Sequence, residues 1–131
     1  VHKTNAEWKD ILTPDQFAVL REKVTEAPFS GEYEGLYADG VYACAGCGQL
    51  LFSSDTKFDA RCGWPSFYDA RPDAVRFVAD ESHGMVRTEV QCSNCGGHLG
   101  HVFEGEGLDV PTDKRYCINS VSLAFIAKEN T

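Results

Sequence analysis

Positive charge is scarce in this chain: 12 Lys and Arg stand against 20 Asp and Glu, a formal net charge of −8. Nucleic acid and anionic membrane surfaces both call for a basic footprint, so neither is expected as a main partner. Long apolar runs are missing too, and no window approaches the ~20 residues that a bilayer-spanning helix needs. No charged-then-apolar secretory segment opens the chain, and a cytoplasmic location is expected. Low-complexity tracts, linkers and repeats are absent apart from two similar cysteine pairs. Six cysteines in 131 residues are too few for a disulfide-scaffold protein. What remains is the profile of one globular domain, long enough to bury roughly two thirds of its unfolded surface.

Helical signals are confined to residues 1–26. Asn5 to Leu12 suits a short helix with Trp8, Ile11 and Leu12 on its apolar side. Thr13, Pro14 and Gln16 then form a T-x-x-Q capping box with proline at the first helical position. Leu12 and Phe17 are placed as a hydrophobic staple, and Phe17, Leu20 and Val24 recur at i, i+3 and i+7. The spacing predicts a helix from Thr13 to about Val24 clamped on the body of the domain.

In residues 27–131 no long helical period returns, and Gly and Pro cut the chain into short pieces. Strands are expected at Val41–Ala43, Leu50–Ser53, Val75–Val78, Val86–Gln91, Leu99–Phe103 and Tyr116–Ile126. The fold class is therefore mainly β, antiparallel, with a helical N-terminal flank.

Cys44-Ala-Gly-Cys47-Gly48 and Cys92-Ser-Asn-Cys95-Gly96 are near copies. Each follows a strand and is followed by glycine, which is how a zinc knuckle presents two thiolates on a tight turn. Two knuckles supply the four sulfurs of a closed, structural, tetrahedral Zn²⁺ site pinning two hairpins together. A redox-active C-x-x-C is the competing reading, but that motif opens a helix in a βαβ context, which this chain lacks. Two disulfides are the third.

Cys62 and Cys117 are left over. On an extended backbone Arg115, Cys117 and Asn119 share a face, and a cation beside a thiol favours the thiolate. A small buried core cysteine is the bland alternative. Cys62 and Trp64 sit in a Gly/Pro loop, where an indole either fills a satellite core or walls an apolar pocket. His98 and His101 face opposite sides of a regular strand, and a bulge at Gly100 would bring both imidazoles to one face. They are spare metal ligands, surface residues or members of a site with Cys117. His2 and His83 earn no role.

Four stretches together, Cys44-x-x-Cys47, Arg61-Cys-Gly-Trp-Pro-Ser-Phe67, Cys92-x-x-Cys-Gly-Gly-His-Leu-Gly-His-Val-Phe103 and Arg115-Tyr-Cys-Ile-Asn-Ser120, resemble the type B methionine sulfoxide reductases, which act on the R epimer. The resemblance runs from about Leu12 to Phe125. It implies two antiparallel sheets of the β-tent (Mss4-like) kind, with zinc at one end and the active site on the opposite side. It further implies that Cys117 attacks the sulfoxide sulfur and becomes a sulfenic acid. Cys62 then resolves it to a disulfide that thioredoxin reduces. Trp64 would hold the S-methyl group, while His98, His101 and Asn119 hold or protonate the oxygen and Arg115 helps lower the thiol pKa. The rival is a non-catalytic zinc-stabilised β binding module of the same fold, which would have no need for Cys62, Cys117 and both histidines together.

Overall fold

The computed structural model describes residues 4–27, 31, 33, 38–58, 63–81, 84, 86–107 and 110–127. Two short helices form the flank. In α1 (Asn5–Ile11), Thr4 and Glu7 make a reciprocal capping box, which apolar periodicity does not reveal. In α2 (Pro14–Glu22), Thr13 and Gln16 make the expected box. The helix stops short of Val24: Lys23 turns left-handed at φ 61°, and the Val24 N–H returns to the Ala18 carbonyl at 3.0 Å. Val24 is therefore exposed, and the packed face is Phe17, Val19 and Leu20.

Those helices lie on the two cysteine turns. A Cβ at Gly97 would come within 2.9 Å of Leu20, and one at Gly46 would meet Trp8 at 3.4 Å and Leu20 at 3.6 Å. Arg21 stacks its guanidinium 5.1 Å from the Trp8 ring centre and donates to the Cys95 carbonyl at 3.0 Å. Burying Trp8 and Leu20 here contributes on the order of 2 kcal/mol each.

Among the described residues nine strands make two antiparallel sheets. One has the order β2 (Leu50–Ser53), β1 (Gly40–Cys44), β9 (Leu123–Ala127). The other runs β3 (Lys57–Phe58), β4 (Ser66–Phe67), β8 (Lys114–Ile118), β7 (His98–Glu104), β6 (Arg87–Cys92), β5 (Val75–Asp80). The core draws on both: Phe52 and Phe67 stack at 4.5 Å, with Tyr42, Leu51, Leu99 and Ile118 around them. Among the described residues no helix is long and apolar enough to cross a membrane.

The run Tyr116–Ile126 is not one strand. It ends as β8 in the larger sheet, turns through a 3₁₀ turn at Ser120–Ser122, and resumes as β9 in the smaller. The partners change while the apolar character does not: Ile118 N–H bonds to Pro65 at 3.0 Å, and β9 then pairs along β1. The corner at Asn119 matters for the site.

Candidate active site and cysteine cluster

Each cysteine pair caps a hairpin, β1–β2 or β6–β7, with matching backbone bonds. Gly48 N–H bonds to Cys44 O at 2.9 Å and Gly96 N–H to Cys92 O at 2.8 Å, both glycines having positive φ (84° and 74°). The two turns meet between the sheets, and the four sulfurs lie within 4.8 Å of one another. Cys44 and Cys95 are 3.7 Å apart, Cys47 and Cys92 3.5 Å. Hydrogen bonding to Cys92 and Cys95, then burial, pushes the Cys44 thiol far up, whereas the bond from Cys44 draws Cys95 down to about 4. Crowded thiols without a cation cannot all ionise; the cluster can hold a metal ion, which would supply that charge.

The second set of residues is assembled by strand register. One row crosses five strands: Val78 opposite Glu89, Glu89 opposite His101, His101 opposite Cys117, and Cys117 opposite Ser66. Directly paired residues share a face, so Cys117 and His101 are side-chain neighbours. Two residues along on that face, Asp80 pairs with Arg87 and Phe103 with Arg115. In β7 the partner of Val90 is Gly100 but that of Gln91 is His98, so the extra residue is Leu99, one position before the expected bulge. Its effect is the expected one: the His98 and His101 rings come 5.5 Å apart.

Each imidazole has a carboxylate. His101 Nε2 lies 2.7 Å from Asp80, which also has Arg87 at 3.6 Å. His98 Nδ1 lies 2.8 Å from Glu89, itself ion-paired with Lys23 at 3.0 Å and accepting from Gln91 at 3.1 Å. Burial works against the Glu89 charge, yet bonds from His98, Lys23 and Gln91 hold its pKa below the ordinary value. For His98, burial outweighs Glu89 and lowers the pKa. An ionised Glu89 only accepts, so neutral His98 carries its proton on Nδ1, leaving Nε2 a buried acceptor with no hydrogen-bond partner among the described residues.

A cavity of about 320 Å³ opens over this face, lined by Trp64, His101, Phe103, Arg115, Cys117 and Asn119, with Thr25, Arg87 and Gly100 completing it. Five residues expected at one site are thereby brought together; His98 stands behind His101 rather than on the cavity wall. Arg115 grips Glu106 through two bonds of 2.9 and 3.1 Å and stacks 4.4 Å from the centre of the Phe103 ring. The Trp64 indole N–H donates to the Glu26 carbonyl at 3.0 Å. Asn119 accepts from the Glu26 N–H at 3.1 Å and donates to Leu99 O at 3.0 Å. Cys62 and Arg61 lie outside the described residues, as do His2 and His83.

Sequence reasoning missed Asp80, Glu89 and Glu26. Asp80 and Glu89 are buried acids on strands, a rare placement for a charge, and alternation gives no sign of it: Arg76 and Val78, in phase with Asp80, are exposed, while Val90 beside Glu89 is as buried as Glu89 itself. Glu26 sits on a strap with no periodic signal at all.

The SelR domain family model matches residues 12–127. Peptide methionine sulfoxide reductase MsrB of Methanosarcina barkeri is 59% identical over 130 residues, covering 98% of this chain and 90% of that protein. The chloroplastic peptide methionine sulfoxide reductase B3 of Oryza sativa subsp. japonica is 54% identical over 126 residues, 96% of this chain but only 54% of the rice protein. The chain thus spans about half the length of that relative. Among solved structures, the Mis18 "Yippee-like" domain superposes with TM-score 0.56 at 22% identity, covering 70% of this chain and 99% of the other. At that identity the likeness concerns the fold alone. By the extent of these matches, the chain belongs to the SelR domain family, alongside the type B peptide methionine sulfoxide reductases.

Proposed function

We propose that this chain is a peptide-methionine (R)-S-oxide reductase with Cys117 as its nucleophile. The observation that carries the reading is the register of β7 against β8, which seats Cys117 beside His101 in a cavity walled by Trp64 and Phe103. The Cys117 thiolate attacks the sulfoxide sulfur to form an S–S bond as the oxygen takes one proton; that S–S bond then breaks while the hydroxyl moves from the methionine sulfur to Cys117, giving methionine and Cys117 sulfenic acid. His101 gives the proton: it lines the cavity, whereas His98 is neutral and set back. With Nε2 bonded to Asp80, the proton that His101 passes on is the one on Nδ1. Arg115 and Asn119 flank the thiol. A rigid indole and the imidazole on different walls admit one hand of S=O when the methyl group is against Trp64.

Cys62 is the resolving thiol in this scheme: its sulfur displaces the hydroxyl of the sulfenic acid as water, and thioredoxin returns the resulting disulfide to two thiols. Connectivity supports it, since Cys62 precedes by four residues Ser66, the strand partner of Cys117. Cys44, Cys47, Cys92 and Cys95 would hold one Zn²⁺. A tetrahedron with Zn–S of 2.3 Å has sulfurs about 3.8 Å apart, close to the 3.5 and 3.7 Å seen. Its chemistry is structural, neutralising thiolates and pinning the two sheets. Thioredoxin recycling and a cluster of four thiols suit a reducing compartment such as the cytoplasm.

The test separates the R and S epimers of methionine sulfoxide and assays each with dithiothreitol. Wild type should turn over R only and Cys117→Ser neither, while Cys62→Ser keeps single turnovers but stalls with thioredoxin. Preference for S, or an active Cys117→Ser, would overturn the reading.

A further inference from the structure

The 3₁₀ turn at Ser120–Ser122 begins on Asn119, a residue type well suited to capping it. An Asn N-cap ordinarily accepts from the second or third N–H of the turn it opens. Here Asn119 makes no side-chain cap bond. Its oxygen accepts from the Glu26 N–H at 3.1 Å and its NH₂ donates to the Leu99 carbonyl at 3.0 Å. The vacant capping position is filled from 95 residues away, by Glu26 Oε1 accepting from Val121 N–H at 3.0 Å. Glu26 also offers its carbonyl to the Trp64 indole N–H at 3.0 Å. All three of its polar groups, N–H, C=O and carboxylate, are thus spent on the surroundings of one cavity.

Packing encloses this carboxylate. Its second oxygen, Oε2, is buried without a hydrogen-bond partner among the described residues. A Cβ on Gly31 would fall 2.3 Å from that oxygen and 2.2 Å from Ser120 Oγ. Holding a carboxylate oxygen unpaired costs stability, and a neutral Asn119 cap would have avoided the cost. The arrangement makes physical sense if the Asn119 amide is needed elsewhere.

We propose that Glu26 is a positioning residue: by capping the Ser120–Ser122 turn in place of Asn119, it leaves the Asn119 amide aimed across the cavity while its backbone fixes the indole of Trp64. The two Asn119 bonds use one lone pair and one N–H, so a second N–H and a second lone pair remain for a ligand oxygen or water. Removing the Glu26 carboxylate leaves Val121 N–H unpaired, and Asn119 rotates to the cap its residue type prefers. The cavity then loses its amide although every residue lining it is unchanged. Because Glu26 lies only four residues beyond α2, which packs on the cysteine turns, the same strap ties the cluster to the cavity wall.

This inference rests on the reductase reading for its kinetic readout. Glu26→Ala should lower kcat/KM for the R epimer by about 10²-fold, the scale expected when a positioning contact is lost, while thermal unfolding stays cooperative. Glu26→Gln, whose amide oxygen still accepts from Val121, should recover most of that loss. Glu26→Leu fills the space without accepting and should behave as the alanine variant does, which covers the case where alanine fails to fold. In the Asn119→Ala background, Glu26→Ala should add little, since its effect passes through Asn119. Losses that multiply in the double variant, wild-type kinetics in Glu26→Ala and Glu26→Leu, or no rescue by Gln would each overturn the proposal. If wild type reduces neither epimer, the reductase reading falls and ¹⁵N NMR decides this one. Glu26→Ala must then shift the Asn119 side-chain NH₂ and speed exchange of the Trp64 indole N–H; unchanged signals refute it.

Discussion

Gly100 is the point where β7 presses closest on the nucleophile strand. A Cβ there would lie 2.0 Å from the Cys117 carbonyl oxygen and 3.0 Å from both Cys117 C and Ile118 Cα. All three obstacles are backbone, so no rotamer change relieves them. An ordinary carbon–oxygen contact needs about 3.3 Å, so Gly100→Ala must part the strands locally by more than ~1 Å. Overpacking of this kind costs about 1–3 kcal/mol, and a stretched ladder hydrogen bond adds about 1. For a chain of this size the sum corresponds to a Tm lowered by roughly 5–20 °C. Because the displaced atom belongs to Cys117 itself, kcat/KM should fall about 10²-fold even where the protein is fully folded. Gly105→Ala is the control: Gly105 has φ 74° with open space around its Cβ position, so alanine there adds backbone strain without touching Cys117. Steady-state kinetics on the R epimer and thermal unfolding of both variants decide the matter. A Gly100→Ala enzyme with wild-type kcat/KM and no greater Tm loss than Gly105→Ala would refute the reasoning.

Two further outcomes concern the metal and pH. Chelation should release one zinc per chain, measured by atomic emission, and abolish cooperative unfolding by circular dichroism. Structural zinc supplies about 10–16 kcal/mol in finger peptides, as much as a domain's whole stability; a fully folded apo protein would contradict the assignment. Acid should weaken the fold from about pH 6.5 downward. His98 titrates below its ordinary 6.5 when folded, so the unfolded chain binds more protons there and stability falls as pH drops. Glu89, held below 4.5, continues the loss at lower pH. Each proton contributes at most about 1.4 kcal/mol per pH unit. Urea midpoints between pH 7 and 4 should show this slope, and His98→Gln should flatten it above pH 4.5.

The sequence by itself determined whatever depends on near neighbours. A cap box needs Thr13 and Gln16 within one helical turn, and a knuckle needs two cysteines and a glycine on one tight turn. Alternation along a strand likewise put Arg115 and Cys117 on one face. These features need only local geometry, so their residue types announce them. Tertiary structure decided what depends on partners. Nothing local in Tyr116–Ile126 says that its two halves belong to different sheets, because β8 and β9 are equally strand-like and only β7 and β1 tell them apart. The bulge at Leu99 shows the same limit: the sequence requires one extra residue near Gly100 to unite His98 and His101, but β6 chooses which. Furthest from local control are Asp80, Glu89 and Glu26. They reach His101, His98, Asn119 and Trp64 only because strand register and the strap after α2 carry them there.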